Sequence, residues 1–416
     1  MEPTINTIIE TDALQQLPRL LSNFSGKALL VADRNTYSVA GVKAGAILRE
    51  SDLPYQEVIL QRPETLVADE HGLAEIRERI SPDIGCLLAV GSGTITDLTR
   101  FAGFEANKPF ISLPTAPSMD GYASPVAALT LKGFKQTLPA APPVAIIAEI
   151  GILEQAPSIM VQAGLGDLLG KYTALIDWEL GRIIEGEDYS FQIADQVRNV
   201  VDRAVLSFKN DLSPEQKITD LTKALIMSGE AMLAWGNSRP ASGGEHHLAH
   251  YWEMEAALTG RVSHLHGIKV GIATMIVSDY YHRIFNLTLK EVEECISDNR
   301  NESEKEYRTR INTVFGPLAA MILSDLNGYY YDPAQRQKRQ IKIQNNWWLL
   351  QKLVKENLLA PDQIKGILIQ AGAPCVPQAI GINAADLELA LQNAKEVRKR
   401  YTVFRLAEDL GWKFPI

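Results

Sequence analysis

The sequence predicts an N-terminal α/β nucleotide-binding domain followed by an all-helical C-terminal domain. Strand and helix patterns alternate over the first part of the chain, and a glycine-rich turn joins one strand to a helix there. Helical periodicity without a convincing strand follows. Because 416 residues exceed one ordinary core, we predict two domains, 1–160 and 161–416.

Short apolar runs bounded by polar turns predict the strands of the first domain. Lys27–Asp33 and Ile84–Val90 are the clearest buried strands, and Tyr55–Leu60 is a weaker one. The runs PFISLPTAP and PPVAIIAEI add two more. A helix is expected from near Thr94, directly after the turn Gly91-Ser92-Gly93. These elements form a nucleotide-sized βαβ-type unit.

Apolar residues at helical spacing predict the second domain. They recur at positions 165, 168, 169, 172, 175 and 176. Further helical patterns cover 190–208, 215–235, 265–285, 303–325 and 384–408. The predicted boundary between the domains lies at 155–164.

Composition and charge exclude several functional classes. The formal net charge of −9 disfavours binding to nucleic acid or to an anionic membrane, and no apolar run approaches the ~18 residues of a membrane span. The acidic N-terminal stretch does not resemble a signal peptide. Three widely spaced cysteines suggest neither a disulfide framework nor a thiolate metal site. We therefore expect a cytoplasmic protein that does not insert into membranes.

The turn Gly91-Ser92-Gly93 is a candidate phosphate-binding turn. Small residues let backbone N–H groups approach a phosphate, and the start of a helix favours negative charge. The turn departs from the G-x-G-x-x-G pattern because Thr96 occupies the third glycine's place. A tight turn without a ligand is the alternative. Asp33, which ends the first strand, either bonds a cofactor ribose or caps a turn.

Histidines are concentrated in one stretch of the chain. Five of the seven lie between residues 242 and 267. His246 and His250 are four residues apart and share a helix face, and His266 follows twenty residues after His246. Catalytic metal sites commonly use three protein ligands and one open position. Asp167, at the end of the motif GLGD, is the candidate carboxylate ligand.

Other histidines have less specific explanations, because a single histidine on a helix is more often a packing or surface residue than a ligand. His247 points away from His246 and is expected to face the substrate or to support the ligands. His264 is expected to support the site or lie at the surface, and His71 and His282 are expected to be structural. Glu245 precedes the histidine pair, so the H-E-x-x-H pattern of zinc proteases is absent, and Glu245 is a candidate hydrogen-bond acceptor for a ligand.

Several motifs together resemble one enzyme family. The Gly-Ser-Gly turn, LPTAPSMDGYASPVAAL, GLGDLLGKYTAL, SGGEHHLAH and HLHGIKVG occur in that order. They resemble the metal-dependent, or iron-containing, alcohol dehydrogenase superfamily. SMDGYAS, SGGEHHLAHYWEM and RYTVFRLAEDLGW are similar to the bacterial branch of its sn-glycerol-1-phosphate dehydrogenases. The resemblance covers positions 33–412 and implies a dehydroquinate synthase-like fold.

The resemblance implies a role for each matched residue. The implied metal ligands are Asp167, His246 and His266. Residues implied at the substrate or the reacting atoms are His250 and Asp120, with His247 as a substrate-facing candidate. The implied cofactor residues are Asp33, Gly91, Ser92, Gly93, Asp97, Thr115, Ser118 and Ser124. No lysine or arginine is matched to the substrate's phosphate.

The implied activity is the reversible, NAD(P)H-dependent reduction of dihydroxyacetone phosphate to sn-glycerol-1-phosphate, for glycerophospholipid-type synthesis. The resemblance implies one divalent metal, for which Zn, Ni and Fe remain open, and a homo-oligomer, with a dimer favoured. NADH and NADPH also remain open. Asp33 would repel a 2′-phosphate, whereas Arg34 would accept one.

Three alternatives remain. A glycerol or other polyol dehydrogenase would differ only in the phosphate pocket. A sugar-phosphate cyclase of the dehydroquinate synthase type is disfavoured because SMDGYASPVAAL is poor in basic residues. A nucleotide-binding protein without catalysis is disfavoured because it has no use for an open metal site.

Overall fold

The computed structural model describes residues 5–62, 66–131, 134–297, 299, 302–325 and 333–413. The chain forms two compact units, one of residues 1–168 and 199–237 and the other of residues 169–198 and 238–416. The domain boundary predicted at residue 160 stays a prediction. Within the described ranges, no helix is both long and apolar enough to cross a membrane.

A parallel sheet forms the centre of the first unit. Its described strands are β1 (Asn6–Glu10), β2 (Lys27–Asp33), β3 (Tyr55–Leu60), β4 (Ile84–Val90), β5 (Phe110–Leu113) and β8 (Ala145–Glu149), in the order β1-β8-β5-β4-β2-β3. An antiparallel hairpin consists of β6 (Val126–Leu131) and β7 (Phe134–Pro139). The predicted α/β class and the predicted strands are confirmed, whereas β1 and the hairpin were not predicted.

Helices cover both faces of the sheet. The helices of the first unit are α1 (Leu17–Leu21), α2 (Arg34–Thr36), α3 (Val42–Glu50), α4 (Glu70–Arg77), α5 (Gly93–Glu105), α6 (Ile150–Leu153) and α9 (Pro214–Trp235). Side chains alternate along β2, so Leu30 packs with α1 and α3 while Leu29 packs with α4 and α5. Both residues are fully buried, as expected for an interior strand of a sheet covered on both faces.

The strand order changes direction beside β2. The chain runs outward from β2 to β3, and β4 then pairs with the other side of β2. The carboxyl ends of β2 and β4 therefore flank a topological switch point, where ligands of open parallel sheets bind. Asp33 ends β2, and Gly91 follows β4. The fold thus places two predicted cofactor residues at the expected edge.

Helices make up the second unit. Two helices contribute residues to both units: α7 (Ser158–Ile184) and α8 (Phe191–Lys209). Those that follow are α10 (Gly244–Thr259), α11 (His266–Phe285), α12 (Leu289–Ser297), α13 (Glu304–Phe315), α14 (Ala319–Asp325), α15 (Pro333–Asn345), α16 (Trp347–Asn357), α17 (Pro361–Gln370), α18 (Ala384–Asn393) and α19 (Val403–Leu410). The predicted helical character of this region is confirmed.

Two predicted helices are interrupted. The 303–325 pattern divides at Gly316, which has a φ of 48° and precedes a proline. The prediction of one helix over 384–408 was wrong, because α18 ends at Asn393 and α19 begins at Val403. Between them, the Tyr401 carbonyl accepts a hydrogen bond from Arg239 at 3.2 Å. A short 3-10 helix (Ala394–Glu396) follows α18, and the residues after it are bent and not helical.

Candidate functional site

The predicted phosphate-binding turn begins α5. Ser92 occupies the N-cap position, and no described side chain caps the helix start. A Cβ atom on Gly91 would lie 2.6 Å from the Cβ of Ile95, so glycine is required there. A helix of 13 residues thus begins just after β4 with no described side chain on its first N–H groups, which suits an anion.

Asp97, a predicted cofactor residue, forms a buried ion pair with Arg100 at 2.8 Å. Arg100 also donates hydrogen bonds to the carbonyl oxygens of Gly121 at 2.6 Å, Tyr122 at 2.9 Å and Val126 at 2.8 Å. Burial lowers the pKa of Arg100, and the Asp97 charge opposes that shift. The sequence analysis missed Arg100, which fixes the backbone after Asp120.

The segment after β5 carries the other predicted cofactor residues. Thr115 and Ser124 are both buried. The Tyr122 hydroxyl donates to the Ala116 carbonyl and lies 3.4 Å from the Ser118 hydroxyl. The fold therefore holds this segment as one ordered loop, and contact of Thr115, Ser118 and Ser124 with a cofactor stays a prediction.

Asp120 and Asp167 are brought together although 47 residues separate them. The Asp120 N–H donates to Asp167 Oδ2 at 3.0 Å, and Asp120 Oδ2 accepts from the Ser228 hydroxyl at 3.0 Å. Their approach depends on Gly164, where a Cβ atom would lie only 1.8 Å from the Pro117 carbonyl oxygen. Glycine thus lets α7 approach the loop closely. At this distance the buried Asp167 carboxylate accepts the hydrogen bond from Asp120.

Asp33 acts as a helix cap in this structure. Its Oδ1 accepts hydrogen bonds from the N–H groups of Asn35 at 2.8 Å and Thr36 at 2.9 Å. The capping alternative is therefore confirmed, and a bond from Asp33 to a cofactor ribose stays a prediction.

Three of the clustered histidines lie side by side in the second unit. His246 and His250 are one turn apart on α10, and His266 is the first residue of α11. The ring centroids of His246 and His266 are 5.3 Å apart, and those of His250 and His266 are 5.1 Å apart. The expected return of His266 toward the first histidine helix is thus observed.

Glu245 orients His246. Its Oε1 lies 2.7 Å from His246 Nδ1, and its Oε2 accepts from the Thr173 hydroxyl at 2.6 Å. Burial raises the pKa of Glu245, but the hydrogen bonds from His246, Thr173 and the Gly243 N–H outweigh it, so the net shift is downward. The predicted acceptor role of Glu245 is confirmed.

Glu253 connects the other two histidines and was missed. Its Oε1 lies 2.8 Å from His266 Nδ1 and 2.9 Å from Lys269 Nζ, and its Oε2 lies 3.0 Å from His250 Nδ1. The ligand atoms of His250, Glu253 and His266 fall within 4.8 Å of one another. The sequence spacing could have indicated this contact. Glu253 follows His246 by seven residues and His250 by three, so all three share one helix face.

His247 lies in a different environment from its neighbour. It is fully buried, and neither ring nitrogen has a hydrogen-bond partner among the described residues. Burial lowers its pKa well below 6.5, and the charges of Arg400, Arg398 and Arg239 add to that shift. The prediction that His247 faces the substrate is compatible with this setting. His264 is exposed.

We expect Glu253→Gln to weaken metal binding and activity by about 10- to 100-fold, because partners of this kind hold a ligating imidazole in one tautomer and orientation. A glutamine keeps the shape but offers only one accepting atom to two histidines. Chelator competition measures the metal affinity, and cofactor oxidation measures the rate. Glu255→Gln, two residues along α10, is the matched control. Equal losses in both variants would contradict the orienting role of Glu253.

Comparison with known proteins gives consistent matches. Residues 8–157 match the family described as iron-containing alcohol dehydrogenase. A glycerol-1-phosphate dehydrogenase (NAD(P)+) from Geobacillus thermodenitrificans is 33% identical over 91% of this chain and 85% of its own length. Another, from Halalkalibacterium halodurans, is 42% identical over 65% of this chain and 69% of its own length.

Solved structures share the fold. Maleylacetate reductase from Agrobacterium tumefaciens superposes with a TM-score of 0.59 at 14% identity, over 99% of this chain and 97% of that one. Glycerol dehydrogenase from Schizosaccharomyces pombe gives 0.52 at 16% identity, over 88% and 89%. At these identities the likeness concerns the fold alone.

Proposed function

The chain belongs to the glycerol-1-phosphate dehydrogenases of the iron-containing alcohol dehydrogenase family, and from that membership we propose its reaction and its working residues. It is an NAD(P)-dependent oxidoreductase that interconverts dihydroxyacetone phosphate and sn-glycerol-1-phosphate. The observation that carries this function is the histidine cluster whose Nδ1 atoms are held by two buried glutamates. Such carboxylate–histidine pairs are typical of catalytic metal sites.

Asp167, His246 and His266 are the proposed ligands of one divalent metal. The donor set fits, since a carboxylate and two imidazoles suit Zn, Ni or Fe. Because the Nδ1 atoms of His246 and His266 face Glu245 and Glu253, each imidazole would offer Nε2 to the ion. A bound divalent ion supplies Lewis acidity, which polarises the ketone oxygen and stabilises its developing charge.

The start of α5 is the proposed pyrophosphate site of the dinucleotide. Gly91, Ser92 and Gly93 lie at the switch point, and α5 begins there without a side-chain cap from the described residues. Asp33, Thr115, Ser118 and Ser124 are proposed to line the rest of the cofactor. Bound NAD(P)H supplies the hydride for the carbonyl carbon.

His250 is proposed to exchange the proton of the substrate oxygen at its Nε2 atom. Arginine can only donate, so the 3.3 Å contact with Arg398 Nη2 makes Nε2 an acceptor and leaves the hydrogen on Nδ1, facing Glu253. Burial lowers the pKa of His250 well below 6.5, although the hydrogen bond to Glu253 opposes that shift. Once Arg398 releases the Nε2 lone pair, the neutral imidazole accepts a proton during alcohol oxidation and returns it during ketone reduction.

Gly93→Val is expected to weaken cofactor binding while the metal content stays unchanged. A Cβ atom at Gly93 would lie 3.1 Å from the Met119 sulfur, and a branched side chain would also fill the space where the pyrophosphate approaches. Titration with NADH and NADPH measures the affinity. Gly151→Val is the control, since nothing lies within 4 Å of a Cβ atom there. Unaltered cofactor binding in Gly93→Val would make the turn purely structural.

Reduction of dihydroxyacetone phosphate and of dihydroxyacetone tests the proposed reaction. We expect kcat/KM to be about 100-fold or more higher for the phosphate ester, since two charged hydrogen bonds supply about 3 kcal/mol or more. Orientation by the phosphate should raise kcat as well as lower KM. The assay follows NADH or NADPH oxidation and then the configuration of the product.

Three other results of this assay would each indicate a different function. Equal efficiency with both ketones would indicate a polyol dehydrogenase. Turnover without stoichiometric NAD(P)H consumption would indicate a cyclase. A product of the opposite configuration would refute the glycerol-1-phosphate assignment while leaving a metal-dependent dehydrogenase.

A further inference from the structure

Two arginines in the segment between α18 and α19 converge on one hydroxyl group. Arg398 Nη1 lies 3.3 Å and Arg400 Nη2 lies 2.8 Å from the Ser238 hydroxyl oxygen. Among the described residues, no carboxylate lies within ion-pair distance of either guanidinium. This differs from Arg239 close by, which pairs with Glu187 and donates to the Tyr401 carbonyl. Two adjacent guanidinium groups without a carboxylate in direct contact favour the binding of an anion.

The surroundings of this pair make the missing counter-charge costly. Burial lowers the pKa of Arg400 to about 9, and the charges of Arg398 and Arg239 add to that shift. The attraction of the more distant Glu187 and Glu245 opposes the shift. Burial also lowers the pKa of Arg398, against the attraction of Glu253. His247 is fully buried, and neither of its ring nitrogens has a hydrogen-bond partner in the described part of the chain. An anion with several acceptor atoms would satisfy such donors together.

The arginine pair adjoins the histidine cluster. Arg398 Nη2 lies 3.3 Å from His250 Nε2, and the His250 ring centroid lies 6.0 Å from that of His246. An anion held by Arg398 is therefore next to the histidine proposed to exchange the proton. In a three-carbon phosphate ester, the carbonyl carbon and the phosphorus are three bonds apart, roughly 4 Å with bonds near 1.5 Å. A short ester can thus reach both groups.

We propose that Arg398 and Arg400 bind the phosphate group of the substrate, with Ser238 and His247 as further partners. This assignment rests on the proposed function, for which the sequence resemblance matched no lysine or arginine to the phosphate. A planar guanidinium matches two phosphate oxygens at once, which suits a dianion better than a single point charge does. The whole chain has a formal net charge of −9, so the arginine pair is a local exception that attracts an anion.

The test compares two ketones in Arg398→Gln, Arg400→Gln and Arg400→Lys. The measured quantity is the ratio of kcat/KM for dihydroxyacetone phosphate to that for dihydroxyacetone. We expect each glutamine variant to lower this ratio by roughly 10- to 100-fold and Arg400→Lys to recover part of it. Inorganic phosphate is expected to inhibit dihydroxyacetone reduction competitively in the wild type and less in the glutamine variants. Arg308→Gln, an arginine on α13 that is paired with Glu304, removes the same charge and should leave the ratio unchanged.

The two proposals fail in different ways. A wild type without preference for the phosphate ester would refute the proposed function. A strong wild-type preference that all three variants retain, with unchanged phosphate inhibition, would overturn the arginine assignment alone. Metal content and thermal unfolding identify a variant that has lost its fold, because the Arg400 bond to the Ser242 carbonyl also ties the segment down. Arg400→Lys keeps a donor for that carbonyl and so keeps the test decisive.

Discussion

Replacing His246 or His266 by alanine is expected to remove most of the bound metal and to lower activity by about 1,000-fold or more. Loss of a ligand removes the Lewis acidity that stabilises the developing charge, a contribution of several kcal/mol to the barrier. Elemental analysis and cofactor oxidation measure the two losses. His71→Ala and His282→Ala are the controls, and full metal occupancy with full activity in His266→Ala would contradict the ligand assignment.

The two variants differ in their structural cost. His246 is buried against Glu245, so its removal leaves a buried carboxylate without one of its partners, at a cost of about 1–3 kcal/mol. The His266 side chain is 25% exposed, and Lys269 still contacts Glu253 when the imidazole is gone. His266→Ala is therefore the cleaner test of metal binding, because its fold should survive with little change.

Gly164→Ala is expected to lower the free energy of unfolding by about 3 kcal/mol and to reduce activity. The added Cβ atom would lie 1.8 Å from the Pro117 carbonyl oxygen, so either α7 or the loop must move. That movement would break the hydrogen bond from the Asp120 N–H to Asp167. Urea unfolding measures the stability, and metal analysis measures the effect on Asp167.

Gly151→Ala provides the comparison, because nothing lies within 4 Å of its added Cβ atom. Gly151 lies inside α6, where alanine should be neutral or stabilise by about 0.5–1 kcal/mol. Equal stability of Gly164→Ala and the wild type would show that glycine is not needed where α7 approaches the loop.

Local patterns in the sequence were sufficient for much of the first unit. Apolar runs located β2, β3 and β4, and the glycines after β4 located the start of α5, because each signal lies within one element and its turn. β1 was missed since it is a half-exposed edge strand, so its NTIIE sequence lacks a buried run. The predicted strands were sufficient to identify the fold class. The edge strand β1 becomes recognisable only through its pairing with β8.

Contacts between distant residues account for what the sequence did not reveal about the site. Arg398 and Arg400 were assigned to a continuous helix, whereas the structure has a bent segment there whose arginines bond to Ser238 and Ser242, about 160 positions away. Arg100 looked like one more polar residue on α5, although it supports the backbone beyond Asp120. Glu253 had a helical spacing signal, but pairing it with His266 required the return of α11.

Glu253 also limits how this site can change during evolution. One carboxylate serves a proposed metal ligand on α11 and the proposed proton-exchanging histidine on α10. A substitution that tunes the basicity of one imidazole must alter the other, so metal affinity and proton transfer cannot be adjusted separately at this position. Adaptation to another metal or to a different working pH would therefore begin around Glu245, which serves one histidine alone among these three.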